Sequence, residues 1–154
     1  VKEYGHLLRN DKDYAEKAAH ISALTRDLSE VVAAEKNNLM KVVTPAERGT
    51  VAFHAPCTLQ HGQKITGVIE AVLAQAGYEL TPVADKHLCC GSAGTYSILQ
   101  KDLSQQLLKN KLTALQSGKP AQIASANIGC QTHLQSGTDV PVRHWIELLE
   151  DALS

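Results

Sequence analysis

A chain of 154 residues, 44% of them hydrophobic, is long enough for one well-packed domain and too short for two sizeable ones. A formal net charge of −1 and the lack of any basic block leave nucleic-acid binding without electrostatic support. No apolar run approaches the roughly 18–20 residues that cross a bilayer, and no signal peptide is visible. The opening Val1-Lys2-Glu3-Tyr4 has no initiator methionine, as expected of a piece cut from a longer protein.

From Tyr14 to about Leu39 the chain is rich in Ala, Leu, Glu and Lys. Ala18, Ile21, Leu24, Leu28, Val31 and Val32 recur at spacings of three and four, which predicts one long amphipathic helix before Pro45 and Gly49. Its charged residues between Asp11 and Lys36 read as a solvated face. Beyond Gly49 the texture changes to short apolar runs alternating with amphipathic segments. Val51-Ala52-Phe53 predicts a buried strand that ends at His54-Ala55-Pro56-Cys57. Gln63 to Gln75 predicts a helix, stopped by Gly77, with Ile65, Val68, Ile69, Val72 and Leu73 on one face. Tyr78 to Val83 follows as a strand, then the Cys89-Cys90-Gly91 loop, then a helix from about Ala93 through Leu115. Gln122 to Ala126 predicts a third strand, Asp139 to Val142 a weak fourth, and Trp145 to Leu153 a last helix whose Trp145, Ile146, Leu148 and Leu149 read as core. Such alternation implies an α/β fold: a mostly parallel sheet of about four strands flanked by helices and preceded by the long N-terminal helix. The expected division is a helical segment over 1–49 and an α/β domain over 50–154.

Four cysteines are too few for a secreted disulfide scaffold at this length, and two of them are adjacent. A disulfide between sequence neighbours strains the intervening peptide. Two thiolates side by side suit a larger centre, a metal ion or an iron–sulfur cluster, and Gly91 lets the backbone approach it without a Cβ in the way. Each cysteine-bearing segment follows a predicted strand, and the carboxyl ends of parallel strands share the side of the sheet where ligands bind. Cys57, Cys89, Cys90 and Cys130 are therefore expected to converge as metal ligands. Helices starting near Gly62, Gly94 and Gln131 would aim their positive ends at this anionic centre.

Thirty-one residues separate Cys57 from Cys89, and thirty-eight separate Gly91 from Cys130. With His54-Ala55-Pro56-Cys57-Thr58-Leu59-Gln60-His61, His87-Leu88-Cys89-Cys90-Gly91-Ser92-Ala93-Gly94-Thr95-Tyr96 and Asn127-Ile128-Gly129-Cys130-Gln131-Thr132-His133-Leu134, this pattern resembles the cysteine-rich CCG domain. Val1-Lys2-Glu3-Tyr4-Gly5 and Val142-Arg143-His144-Trp145-Ile146-Glu147 extend the likeness to the iron–sulfur subunits of bacterial glycolate oxidases (glycolate dehydrogenases). The resemblance implies that 50–154 is a second CCG repeat and that 1–49 is the tail of a first. It also implies electron transfer from flavoprotein subunits that oxidise glycolate towards a quinone or other membrane acceptor. The location it implies is cytoplasmic, peripheral to the inner membrane through the complex. The family pattern closes with Cys-x-x-Cys, whereas here the first of that pair is Asn127. Four thiolates still suffice for a 4Fe-4S cluster, and Asn127 could donate hydrogen bonds to cluster sulfides.

Other readings stand beside these. Any single cysteine can be a small buried hydrophobe, and the isolated domain can be empty or hold zinc. A zinc-bound or metal-free docking domain that assembles oxidoreductase subunits is the alternative. A reactive thiol pair at Cys89-Cys90 is a third reading. Among the histidines near cysteines, His54, His61, His87 and His133, the best candidate ligand is His54, three residues before Cys57. Gly91-Ser92-Ala93-Gly94 lacks the tail of a phosphate loop and reads as a turn that shapes a cluster pocket. No general acid–base pair is apparent, so no catalytic residue is assigned.

Overall fold

The computed structural model describes residues 1–153, which form two compact units, Val1–Lys36 and Asn37 onwards. The first unit is helical: α1 (Tyr4–Leu7), α2 (Ala15–Leu24) and α3 (Leu28–Ala34). The single long helix expected here is broken. Thr25 turns extended after α2, and Asp27 starts α3 afresh as its N-cap. The Asp27 carboxylate accepts from the Ser29 N–H at 2.9 Å, and the Glu30 carboxylate accepts from the Asp27 N–H at 2.7 Å. This reciprocal capping box outweighs the continuous apolar periodicity. Gly5 lets α1 lie close on α2, where an added Cβ would sit 3.0 Å from Ala19 Cα. A short turn, α4 (Lys36–Leu39), follows α3.

The second unit is a four-stranded, all-parallel sheet of β1 (Thr50–His54), β2 (Glu79–Leu80), β3 (Gln122–Ser125) and β4 (Val142–His144), in spatial order β2-β1-β3-β4. A π-helical turn (Thr58–Gly62) and α5 (Val68–Gln75) lie between β1 and β2. Next come α6 (Tyr96–Leu99) and α7 (Lys101–Gln116), then α8 (Ile128–Gln135) after β3 and α9 (Trp145–Asp151) after β4. α5 packs with α9, while α7 packs with α8 and against β1. Strand alternation sorts the sheet's side chains between these layers. Ala52 and Ile123 join Leu108, Leu112, Leu115, Leu134, Cys90 and Cys130 in one fully buried cluster. His54 and Ser125 lie two residues further along the same strands, on that same face.

Several predicted boundaries shift, each for a local reason. The helix placed at 63–75 begins only at Val68, because Lys64 (φ 58°) and Gly67 (φ 75°) are left-handed. The helix placed at 93–115 divides where Gln100 leaves helical geometry at φ −123°, ψ 54°. β2 is shorter than expected because Pro82 has no N–H for the ladder. β4 starts after Pro141 for the same reason. The α8 helix starts three residues earlier than the Gln131 expected, since Asn127, extended at φ −148°, caps it. Trp145, Leu148 and Leu149 are buried, as the apolar stripe of the last helix predicts.

Candidate metal centre

With the order β2-β1-β3-β4, the chain runs from β1 towards one side of the sheet and from β3 towards the other. The crevice between the carboxyl ends of β1 and β3 is therefore the topological switch point, the usual ligand position of an open parallel sheet. His54 and Ser125 face each other in register at those two ends. Cys57 follows β1 and Cys130 lies in the first turn of α8, just beyond β3. The doublet reaches the same place on the loop after β2, pinned from α7. Ser104 Oγ donates to the Gly91 carbonyl at 2.9 Å and lies 3.3 Å from His133 Nε2. Gly91 has φ 91°, and a Cβ there would meet the Ser104 carbonyl oxygen at 2.5 Å. Only glycine lets the loop lie this close to α7.

The four thiols divide into an inner and an outer pair. Cys90 and Cys130 are buried, with His54 between the same walls, and the ligand atoms of these three lie within 4.8 Å of one another. Cys57 is exposed and Cys89 half-buried, and these two interact with each other. In the inner pair the Cys130 thiol donates to Cys90, so Cys90 is held well below the ordinary thiol range and Cys130 is pushed up. Burial opposes the shift at Cys90. The nearby His54 ring and the Ser92 N–H favour its thiolate. The Cys89 thiol is pushed up, chiefly by burial and against the Gly91 N–H, which donates to Cys89 Sγ at 3.3 Å. The tight turn thus offers one backbone amide to each sulfur of the doublet, an arrangement that favours thiolates over thiols.

Polar atoms left over in this crevice are as informative as the thiols. His54 is 1% exposed, and neither its Nδ1 nor its Nε2 completes a hydrogen bond. Ser125 Oγ, on the register partner of His54, is also buried without a partner. Each such group costs about 1–3 kcal/mol unless something meets it. Four thiols from three segments, amide donors at two sulfurs and orphaned donors at one crevice fit a soft, anionic metal centre. His61 and His87 are exposed, with His61 Nε2 3.5 Å from the His87 carbonyl, and they stand apart from the buried group. Asn127 sits where the family pattern has cysteine. Its Oδ1 accepts from the Cys130 N–H at 3.1 Å, so it caps the helix that carries the inner thiol.

One participant escapes a sequence reading based on cysteines. Lys111 is 1% exposed, and its Nζ donates to the carbonyls of Lys86 at 3.0 Å and Asp85 at 3.4 Å. Burial draws its pKa down, opposed by the charges of Cys90, Cys89, Asp85 and Cys130. It braces the loop before the doublet and brings a cation within reach of three of the thiols. The signal for it was present: Lys111 falls among Ser104, Leu108, Leu112 and Leu115 on the buried stripe of α7, where an apolar residue is expected.

Among the described residues, no helix is long and apolar enough to cross a membrane. The chain is 54% identical over 99% of its length to the glycolate oxidase iron-sulfur subunit of Escherichia coli (strain K12), of which it covers 37%. It is 28% identical over 97% of its length to lactate utilization protein A of Geobacillus thermodenitrificans (strain NG80-2), covering 64% of that protein. A probable glycolate oxidase iron-sulfur subunit of Bacillus subtilis (strain 168) is 27% identical over 90% of the chain, which covers 31% of that subunit. The chain thus spans between about a third and two thirds of the length of these relatives. The family model for the cysteine-rich domain named CCG matches residues 51–135, which include all four cysteines and the crevice they line, and the chain belongs to that family.

Proposed function

We propose that this domain holds an iron–sulfur cluster of the 4Fe-4S type through Cys57, Cys89, Cys90 and Cys130. In this role it relays electrons within a glycolate-oxidising complex, from flavoprotein subunits towards a quinone or other membrane acceptor. The reading is supported by the nearness of Cys90 to Cys130 and of Cys89 to Cys57, thiols from three segments that each follow a strand of the parallel sheet. The likeness to an iron–sulfur subunit of glycolate oxidase supports the choice of group and of complex. When bound, such a cluster accepts and gives up one electron at a time. The chain's own part is to hold the thiolates, to exclude water from Cys90 and Cys130, and to set the surrounding charge. Amides at Gly91 and Ser92, the α8 N-terminus capped by Asn127, and Lys111 all stabilise negative charge there. The same resemblance supports residues 1–49 as the tail of a first CCG repeat, and a cytoplasmic location at the inner membrane through the complex.

The test is an assay for iron and acid-labile sulfide in the full-length subunit purified without oxygen, beside its Cys89→Ser and Cys90→Ser variants. Loss of one cluster's worth of iron and sulfide in each variant is expected. Unchanged content with full activity would overturn the cluster role. A second reading, a zinc-stabilised domain that docks oxidoreductase subunits, draws on the closeness of His54, Cys90 and Cys130. Three donors within that span match one tetrahedral ion with Zn–S near ~2.3 Å. It predicts that the serine variants lose zinc and subunit assembly while every iron signal persists.

A further inference from the structure

We propose that His54 is a direct metal ligand, forming with Cys90 and Cys130 a buried nitrogen–sulfur–sulfur face that replaces the thiolate missing at Asn127. The inference deepens the metal-centre reading above and rests on a metal being bound at this crevice.

A buried neutral imidazole has one N–H to donate and one lone pair to fill, and packed histidines ordinarily satisfy both. His54 completes a hydrogen bond through neither nitrogen, and its ring acts on the Cys90 sulfur instead, although it is 1% exposed and closes β1 in the middle of the sheet. It is not orphaned by a loose fit, because its strand neighbours Val51, Ala52 and Phe53 are themselves 0%, 0% and 5% exposed. A ring with an open lone pair, fixed by a strand and set within 4.8 Å of two buried sulfurs, is arranged as a ligand would be. Orientation of the second nitrogen has a candidate as well. Ser125, the register partner of His54 on the same face, carries an unpartnered buried hydroxyl. The family pattern's extra cysteine would lie three residues before Cys130, but Asn127 there is committed to capping α8. The neutral nitrogen donor from β1 completes the inner face without adding a third negative charge beside Cys90 and Cys130.

The experiment has two arms on the full-length subunit. In the first, protein labelled with ¹⁵N-histidine and purified without oxygen is reduced and examined by pulsed electron paramagnetic resonance. A strongly coupled histidine nitrogen is expected, and it should vanish in His54→Ala and His54→Cys while persisting in His61→Ala. In the second, metal-free protein is titrated with cobalt(II). Affinity should fall by about tenfold or more in His54→Ala and be recovered in His54→Cys, whose thiolate can ligate in place of the ring. Iron and sulfide at the crevice with no histidine coupling in the wild type would overturn the proposal while leaving the cluster reading intact. No iron at the crevice, but His54-dependent cobalt binding, would sustain the ligand role and remove the cluster. Cobalt affinity unchanged in His54→Ala would overturn the ligand role for a single ion. Because the nitrogen coupling is read in unmutated protein, a variant that fails to fold cannot shelter the proposal.

Discussion

Replacing Gly91 by alanine probes the joint between the cysteine doublet and the rest of the domain. Gly91 has φ 91°, a region that costs an L residue about 1–2 kcal/mol. The new Cβ would stand 2.5 Å from the Ser104 carbonyl oxygen and 3.1 Å from Leu107 Cβ. Ordinary contact begins near 3.4 Å, so the loop must retreat from α7 or α7 must bend. Overpacking of this kind costs about 1–3 kcal/mol. Retreat also loosens the 2.9 Å bond from Ser104 Oγ to the Gly91 carbonyl, worth about 1 kcal/mol. The sum is about 3–6 kcal/mol, a large part of a typical domain's stability of about 5–15 kcal/mol. Gly94 supplies the internal control: it too has a positive φ, 57°, but nothing lies within 4 Å of its would-be Cβ. Gly94→Ala should therefore cost only the conformational share, about 1–2 kcal/mol. Urea unfolding of the reduced proteins, followed by circular dichroism, measures both. Equal costs for the two substitutions would refute the claim that close approach to α7, rather than backbone conformation alone, selects glycine after the doublet.

Other outcomes follow from the same geometry. Lys111→Met keeps the buried stem and removes the cation, so any centre at the crevice should become harder to reduce, by on the order of tens of millivolts. A redox titration reads this, and an unchanged midpoint would show that Lys111 only braces the Asp85–Lys86 turn. Tyr78 donates its hydroxyl to the Leu148 carbonyl at 2.9 Å, and burial raises its pKa above the ordinary tyrosine value. The stabilisation it brings is therefore complete below pH ~10 and is lost as pH rises through the folded pKa. Tyr78→Phe should cost about 1 kcal/mol at neutral pH and flatten the alkaline fall in stability, both visible in urea midpoints against pH. Asn127→Ala removes the α8 cap and should cost about 1 kcal/mol, whereas Asn127→Asp should retain most of that stability. In reduced, metal-free protein an alkylating reagent should modify exposed Cys57 first and reach Cys90 and Cys130 only on unfolding. Labelling of Cys90 as fast as Cys57, followed by peptide mapping, would contradict the burial of the inner pair.

The parallel α/β plan was legible because Val51-Ala52-Phe53 and Gln122 to Ala126 are short apolar runs between helical periods, and burial of both faces leaves that signature. The nearness of Cys90 to Cys130, and of Cys89 to Cys57, was legible because chain order constrains where the ends of parallel strands lie. Helix limits were less so. A left-handed Lys64 and the break at Gln100 reflect local torsions that the periodicity of apolar residues does not encode. Asp27 and Glu30 did carry a readable signal, three residues apart before an apolar run, yet the continuous stripe from Ala18 to Val32 concealed it. The division into inner and outer thiols depends on tertiary depth, as does the burial of Lys111, and spacing along the chain cannot express either.

The position of β3 beside β1 also constrains how the protein comes into being. A nascent chain that has not yet emerged past Ser125 already carries Cys57, Cys89 and Cys90, but it has neither the central strand that closes the crevice nor Cys130. The ring of His54 then has only half of its walls. Pairing of β1 with β3 is a contact between distant parts of the sequence, and such pairings form late. Assembly of the centre is thereby deferred until synthesis of this domain is nearly finished. For that interval three thiols remain open to stray copper or oxidants, a window that faster translation through β3 and α8 would shorten.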